Sequence, residues 1–578
     1  MRLMTRTFAL AMAGALLAGC GHKDRNAPLA FVPADTPYVM ANLKVMGDDA
    51  RQAMLAQADV QLPAQLAQME SAASRLAPDH PDAARLIRAF GAAFKGNTVE
   101  GFAHDSGIDL KGRMALYGLG LSPVLRFELS DPQAFDAFVK RMEAAYGKPL
   151  ANASIGGQNY RQAVFATSHT ELVMATVGKQ AVIALLPSDP AQPLLREALG
   201  LDRPAHSLLD SDALGKLAKA KGYRPWLVGE LDLHRLLPLI ASGKDPLFAA
   251  LFKAGAERQS AKTGEPVANL TKIPPGCPAD AARIAARVPQ ISFGYTRLDG
   301  KHQDSRLDIA LASDITQAFD GLKVDVPGLG ADPSAPFDLS LALPMTEIRT
   351  FWLAQADAVA AKPFTCPVLT DLNMAFARLG PVMQKAAIPP FGDLLGLHLT
   401  MDSFSNGPAG GMPRITGRIV LATRNPAGLL GMAQMSMPPL AQVRVPDTGV
   451  PTPLPANLTG TLGEPAWAAM NDHALAIAIG AGENDKLAAD LKAPGGDSGR
   501  LMRAHVDGAM YVSWIKAMAQ RVEGLTAQMP AGGQPNTLGD LKTRLATSEA
   551  AAARVKEASG EVHMDSDGLV VTSKVTLK

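Results

Sequence analysis

The sequence reads as an α+β chain: two similar modules of curved, mainly antiparallel sheet, with helices packed on one face. Three observations predict it. Strand-like runs joined by hairpin turns dominate over regular strand–helix–strand alternation. Several helical stretches open with an Asp-Pro or Asn-Pro pair, in which the acidic or amide side chain caps and proline fills the first turn. The order of elements in the first half recurs in the second.

Taken in order, an apolar strand over Tyr38–Leu43 leads into helices near 48–61, 63–77 and 80–94. A β-like run from Met114 to Leu129 precedes Ser130-Asp131-Pro132 and an amphipathic helix through Tyr146. Strands over Glu171–Val177 and Gln180–Leu186 are joined by Gly178-Lys179, and Ser188-Asp189-Pro190 is expected to open another helix. A strand at Trp226–Leu231 and a hairpin over Gln290–Leu311, turning at Asp299-Gly300, complete the first half.

In the second half Ala335–Leu343 and the following MTEIRTFWLAQADAV match the opening strand and helix. Arg418-Ile-Val-Leu before Asn425-Pro426 matches Arg126-Phe-Glu-Leu before Asp131-Pro132. Ala466–Met470 and Ala474–Ile479 match the strand pair at 171–186, and Tyr511–Trp514 is expected as the strand matching Trp226. Glu561–Met564 and Leu569–Leu577, around Asp567-Gly568, match the Asp299-Gly300 hairpin. The expected organisation is a leader over 1–19, a short tether over 20–30, a first module over 31–325, a linker over 326–336 and a second module over 337–578.

The first twenty residues have a chemistry of their own. Arg2 and Arg6 precede an uncharged Ala- and Leu-rich stretch, Thr7–Gly19, too short for the ~20 residues of a membrane-spanning helix. Leu17-Ala18-Gly19-Cys20 resembles the bacterial lipobox, in which small residues precede a cysteine that is acylated and becomes the mature N-terminus. The resemblance implies cleavage before Cys20, lipid (palmitate among it) at Cys20, and anchoring through more than one acyl chain. Gly21 after the cysteine, where aspartate would favour retention, implies the outer membrane facing the periplasm.

Without its leader the chain keeps 559 residues, enough for a large core, and a net charge of −1 with no long single-sign run. Nothing in that balance points to nucleic acid. Cys277 and Cys366 are the other two cysteines, and in an oxidising compartment they are expected to pair. The loop so closed carries a chain-entropy stabilisation of about 4–5 kcal/mol at most.

Sites of chemistry are sparse. Gly496-Asp497-Ser498-Gly499 matches the string around a serine-protease nucleophile, but it lies in a Pro/Gly turn without the partner histidine segment. Gly118-Leu-Gly120 departs from a dinucleotide fingerprint at Pro123, and Gly294–Lys301 has the wrong spacing for a phosphate loop. Histidines are dispersed without metal spacing, and His104-Asp105-Ser106 are neighbours, whereas a triad converges from distant segments. No catalytic residue, cofactor or metal is assigned, with one weak Cu(I) candidate at Met432, Met435 and Met437, whose thioethers suit a soft ion.

The lipobox, the opening Val32-Pro33-Ala34-Asp35-Thr36-Pro37 and the segment Gly107–Phe127 resemble a loose group of proteobacterial envelope lipoproteins with no assigned chemistry. The expectation is therefore a non-catalytic binding or scaffolding protein, held to the membrane by lipid, with an envelope protein or an apolar ligand as partner. The alternatives are a solute-binding protein of a transporter and an envelope hydrolase whose site is assembled from distant residues.

Overall fold

The computed structural model describes residues 24–386, 388–405, 414–460, 463–496, 499–527, 545–546 and 548–578. The leader, Cys20, Asp497 and Ser498 lie outside the described residues. In the first half β1 (Tyr38–Ala41) precedes α1 (Asp48–Leu76) and α2 (Pro81–Phe94). A hairpin of β2 (Met114–Leu119) and β3 (Ser122–Glu128) then leads to α3 (Pro132–Tyr146). Strands β4 (Ala151–Ile155), β5 (Gln158–Phe165), β6 (Thr170–Val177) and β7 (Gln180–Pro187) follow, then α4 (Gln192–Leu199) and α5 (Ala213–Lys221). After β8 (Val228–Asp232) come α6 (Leu233–Ser242), α7 (Pro246–Thr263), α8 (Cys277–Arg287) and the hairpin β9 (Gln290–Leu298) and β10 (His302–Ala310).

The second half opens with β11 (Phe337–Ala342), α9 (Met345–Ala361) and α10 (Thr370–Ala386). Next come β12 (Leu394–Ser405), β13 (Arg414–Thr423), α11 (Pro426–Ser436), β14 (Thr452–Pro453), β15 (Ala466–Met470) and β16 (Ala474–Ile479). It ends with β17 (Arg500–Asp507), α12 (Gly508–Ala527) and the hairpin β18 (Val555–Met564) and β19 (Gly568–Leu577).

The α+β class holds, and the strands form one continuous antiparallel sheet of nineteen among the described residues. From the ladder pairings the order is β4-β5-β6-β7-β3-β2-β1-β8-β9-β10, then β19-β18-β17-β11-β12-β13-β16-β15-β14. The seam is the β10–β19 ladder, from His302↔Thr576 to Ala310↔Gly568. Each flanking hairpin turns on an aspartate whose Oδ1 accepts two backbone amides: Lys301 and His302 on Asp299, Asp567 and Gly568 on Asp565. The aspartate matching Asp299 is thus Asp565, not Asp567, and Arg306 and Thr572, each seven residues beyond its turn aspartate, face each other across the seam.

Helices cover both faces of the sheet, where one was expected. In the first half, Val39, Tyr117, Val124 and Val182 on one face pack with Leu195 and Leu199 of α4 and Leu214 and Ala218 of α5. The other face, with Ala181 and Met174, packs with Phe135, Phe138 and Met142 of α3 and Leu86 of α2. Since alternate residues of a strand point to opposite faces, a strand apolar on both is buried by two layers.

Three local expectations are corrected. A single helix runs through Pro63, because losing one backbone hydrogen bond does not outweigh flanking Ala, Gln and Leu, which favour helix. Asp189 sits at positive φ and caps nothing: the helix starts at Gln192, with Ala191 before it and Pro193 in its first turn. Tyr511–Trp514 is helical, within α12, and the strand beside β11 is β17; Met510 and Ala517, seven residues and two helical turns apart, are both buried.

Cys277 at the start of α8 and Cys366 beyond α9 form a disulfide, with Cα atoms 4.5 Å apart. Asp280 Oδ2 accepts the amides of Thr365 and Cys366 at 2.6 and 2.9 Å, so the bridge is also held by backbone hydrogen bonds. The stretch 326–336 is packed: Val326 and Leu329 are fully buried, and the amides of Gly328 and Gly330 donate to Pro494 O. No helix among the described residues is long and apolar enough to cross a membrane.

Candidate functional site

The two faces of the central strands differ in chemistry. On one face cross-strand neighbours follow each other as Met40, Gly229, Phe293, Leu307, Val571, Val562, Met502, Leu341 and Leu397, from β1 to β12 through the seam. At a strand spacing of about 4.8 Å this apolar row is roughly 38 Å long. Helices α6, α9 and α12 lie on this side, with Trp514 of α12 edge-on to the Phe337 ring at 6.1 Å. Yet the row is not sealed. Phe293 is 37% exposed and Trp514 45%, and the other row members apart from Gly229 are only half-buried. Apolar surface left open over such a length marks a binding surface more often than a free one.

On the opposite face β1–β3 and β7 keep the apolar Val39, Tyr117, Val124 and Val182, while the strands from β9 to β12 carry polar groups that in the second half are buried. Asp338 is fully buried; His398 Nε2 lies 3.0 Å from its Oδ1, and Arg503 donates to the same oxygen at 2.8 Å. Burial pushes the Asp338 carboxyl up, but its hydrogen bonds with His398 and the Ser334 amide, with the Arg503 charge, outweigh that and hold it below the usual range. Gly328 closes the cluster from above: it has φ +89°, and a Cβ there would strike the His398 ring. Arg503 also donates to Gly328 O at 2.8 Å, so the cluster fastens the 326–336 stretch to the sheet.

Further along this face Arg418 is buried among Asp402, Glu483 and Asp490 and bonds to all three. Burial works against its charge, but Asp490, Glu483 and Asp402 prevail and raise its pKa. In the first half Arg126 is equally buried without a carboxylate partner. It donates to Gln180 Oε1 at 3.1 Å and Ala198 O at 3.3 Å, and lies 3.9 Å over the Phe31 ring. Burial lowers its pKa, with Tyr117 opposing.

At the seam a cleft of about 380 Å³ is lined by Lys221, Ser292 and Asp308 from the first half and Asp565, Ser566 and Asp567 from the second. Arg306 donates to both oxygens of Asp308 at 2.9 and 2.6 Å, and the Tyr223 hydroxyl donates to it as well. Burial pushes Asp308 up, and the Arg306 and Tyr223 hydrogen bonds overcome it and hold the carboxyl low. Burial and Asp308 together drive the Tyr223 phenol upward. Lys221 bridges Asp308 at 3.5 Å and Asp567 at 3.2 Å, tying the halves together. These charges are engaged with one another, and among the described residues no histidine lines the cleft.

The residues singled out from sequence fall as follows. Cys277 and Cys366 are joined. Met432 packs into a core cluster with Leu429 and Leu440 while Met435 is 82% exposed, so the three methionines share no one environment. The Ser106 hydroxyl donates to Phe102 O at 2.7 Å, turned into its own helix and away from exposed His104. Gly118–Pro123 is the β2–β3 hairpin, and Gly294–Lys301 is strand and turn.

Neither the apolar row nor the buried clusters were legible as sites beforehand. Their residues are an alternation of the kind every half-buried strand shows, and only the register brings one residue from each of nine strands into line. No family model matches the chain, no curated protein matches it, and no solved structure matches it.

Proposed function

We propose that this chain is a membrane-tethered lipoprotein of the bacterial envelope that holds an elongated apolar ligand along the face of its sheet that carries the row from Met40 to Leu397, and performs no covalent chemistry. The observation that carries the reading is the half-open apolar row from Met40 to Leu397, which runs unbroken across the seam. Acyl chains fit such a row by chemistry, since contact with it removes apolar surface from water on both partners. The polar clusters support a structural role, because their ion pairs and hydrogen bonds fasten the 326–336 stretch to the sheet and tie its halves together.

In this reading the lipobox Leu17-Ala18-Gly19-Cys20 provides the anchor, with the body close to the periplasmic side of the outer membrane. The sheet descends from a duplicated module: the strand order is the same outward from the seam in both directions, and β3 and β13 each lead through a capped proline into a helix. Export gives the Cys277–Cys366 bridge its oxidising compartment.

The test is quenching of tryptophan fluorescence by fatty acids brominated along the chain, with native mass spectrometry for stoichiometry. Saturable quenching that weakens in Trp514→Phe and Phe293→Ser is the expected result. A wild-type chain that takes up no acyl ligand by either method overturns the proposal. Labelled palmitate incorporated into wild type but not Cys20→Ala is the expected result for the anchor.

A further inference from the structure

Beyond the apolar row, the polar side of β17 and β18 carries a cluster of different chemistry. His505 and Asp507 alternate with Val506, so their side chains leave the same face of β17. Glu557 of β18 is the direct cross-strand partner of Asp507. His505 Nε2 lies 3.1 Å from Asp507 Oδ1, and one ligand atom from each of the three residues falls within 4.8 Å of the others. Two carboxylates directly opposed on neighbouring strands repel. Among the described residues neither makes an ion pair with lysine or arginine.

We propose that His505, Asp507 and Glu557 form a binding site for a divalent transition-metal ion, Zn²⁺ above all. One imidazole nitrogen with two carboxylate oxygens is a borderline-hard donor set, which suits zinc and disfavours Cu(I). Zinc–ligand bonds of about 2.0–2.2 Å on a tetrahedron separate neighbouring ligand atoms by roughly 3.4 Å, close to the 3.1 Å between His505 and Asp507. Small side-chain rotations bring Glu557 to the third corner. The fourth goes to water, since the Asp507 side chain is 47% exposed and the site opens to solvent. The ion neutralises the opposed carboxylates and pins β17 to β18 at the end where Val555 and Asp507 lead out of the ladder.

The experiment uses the purified full-length chain in detergent, stripped with EDTA and dialysed against micromolar ZnCl₂. Elemental mass spectrometry should find one zinc per chain, and Co²⁺ in its place should give visible d–d bands of a nitrogen–oxygen site. Loss of a second-sphere partner commonly weakens metal binding about 10–100-fold; Asp507→Asn and Glu557→Gln, which remove a ligand, should each weaken it by more than about 100-fold. His104→Gln, which breaks an exposed His–Asp pair with no third ligand, should leave the stoichiometry at one. Circular dichroism checks that each variant is folded, and a zinc-dependent rise of the wild-type melting temperature, absent in Glu557→Gln, is a readout independent of Asp507→Asn folding. No retained zinc in the wild type, or retention unchanged in Glu557→Gln, overturns the site.

Discussion

Arg126 on β3 and Arg418 on β13 occupy matching strands in the two halves of the sheet and point to the same face, and both are buried. Their surroundings are opposite. Arg126 is solvated by neutral groups, an amide oxygen, a carbonyl and an aromatic ring, while Arg418 sits among three carboxylates. A buried charge with neutral partners keeps a desolvation cost that only dispersion and hydrogen bonds offset. A buried charge among opposite charges makes each group depend on the others. One architecture therefore hosts a weakly coupled cation in the first half and a strongly coupled one in the second.

The largest effect that tests this contrast is expected from Arg418→Met, which leaves Asp402, Glu483 and Asp490 without their shared cation. Urea unfolding should show a loss of about 3–5 kcal/mol, and adding Glu483→Gln and Asp490→Asn should recover part of it. If Arg418→Met costs no more than Arg126→Met, the contrast fails.

Next in size is the disulfide. Cys277→Ala with Cys366→Ala should cost about 2–4 kcal/mol by the same unfolding measurement, because the bridge joins α8 of the first half to the segment after α9 of the second. With the bridge gone, unequal stability of the halves should show as separate transitions in calorimetry.

A smaller loss is expected in acid, and it should be local. Asp338 and Asp402 have folded-state pKa values held below the ordinary carboxylate value: burial raises each, and hydrogen bonds with His398 and the Ser334 amide, or with Lys486 and Arg418, overcome it. A depressed pKa means that stabilisation is complete above the unfolded-state value and is lost as pH falls below about 4 through the folded value. Hydrogen exchange near pH 3 should therefore deprotect β11–β13 before β1–β3, where the buried cation has no carboxylate to protonate. Equal deprotection of both regions would contradict the comparison.

Smallest is Arg126→Met. It exchanges two neutral hydrogen bonds and a ring contact for packing of a similar length, at about 1–2 kcal/mol by thermal unfolding.

Much of the local structure was legible because its causes are local. Asp131 capping Gln133 and Ala134, the hairpins around Asp299-Gly300 and Asp567-Gly568, and the strands at 466–470 and 474–479 follow from side chains acting on their own neighbourhood. The pairing of Cys277 and Cys366 was legible for a different reason: two thiols leave one intramolecular connectivity. The β4–β5 hairpin and β12 escaped notice, having weak β-branched content or polar residues such as His398 and Thr400 within them. Tyr511–Trp514 misled because a short apolar run is ambiguous between helix and strand until its burial is known.

The sequence by itself determined the α+β class, the caps at Asp131 and Asn425, the turn at Asp299 and the bridge, since each depends on residues within a few positions or on simple counting. Tertiary structure alone decided that the halves share one sheet, that an apolar row crosses their seam, and that His505, Asp507 and Glu557 meet. These depend on register between segments up to several hundred residues apart, and shifting a strand by one residue would turn every one of its side chains to the other face.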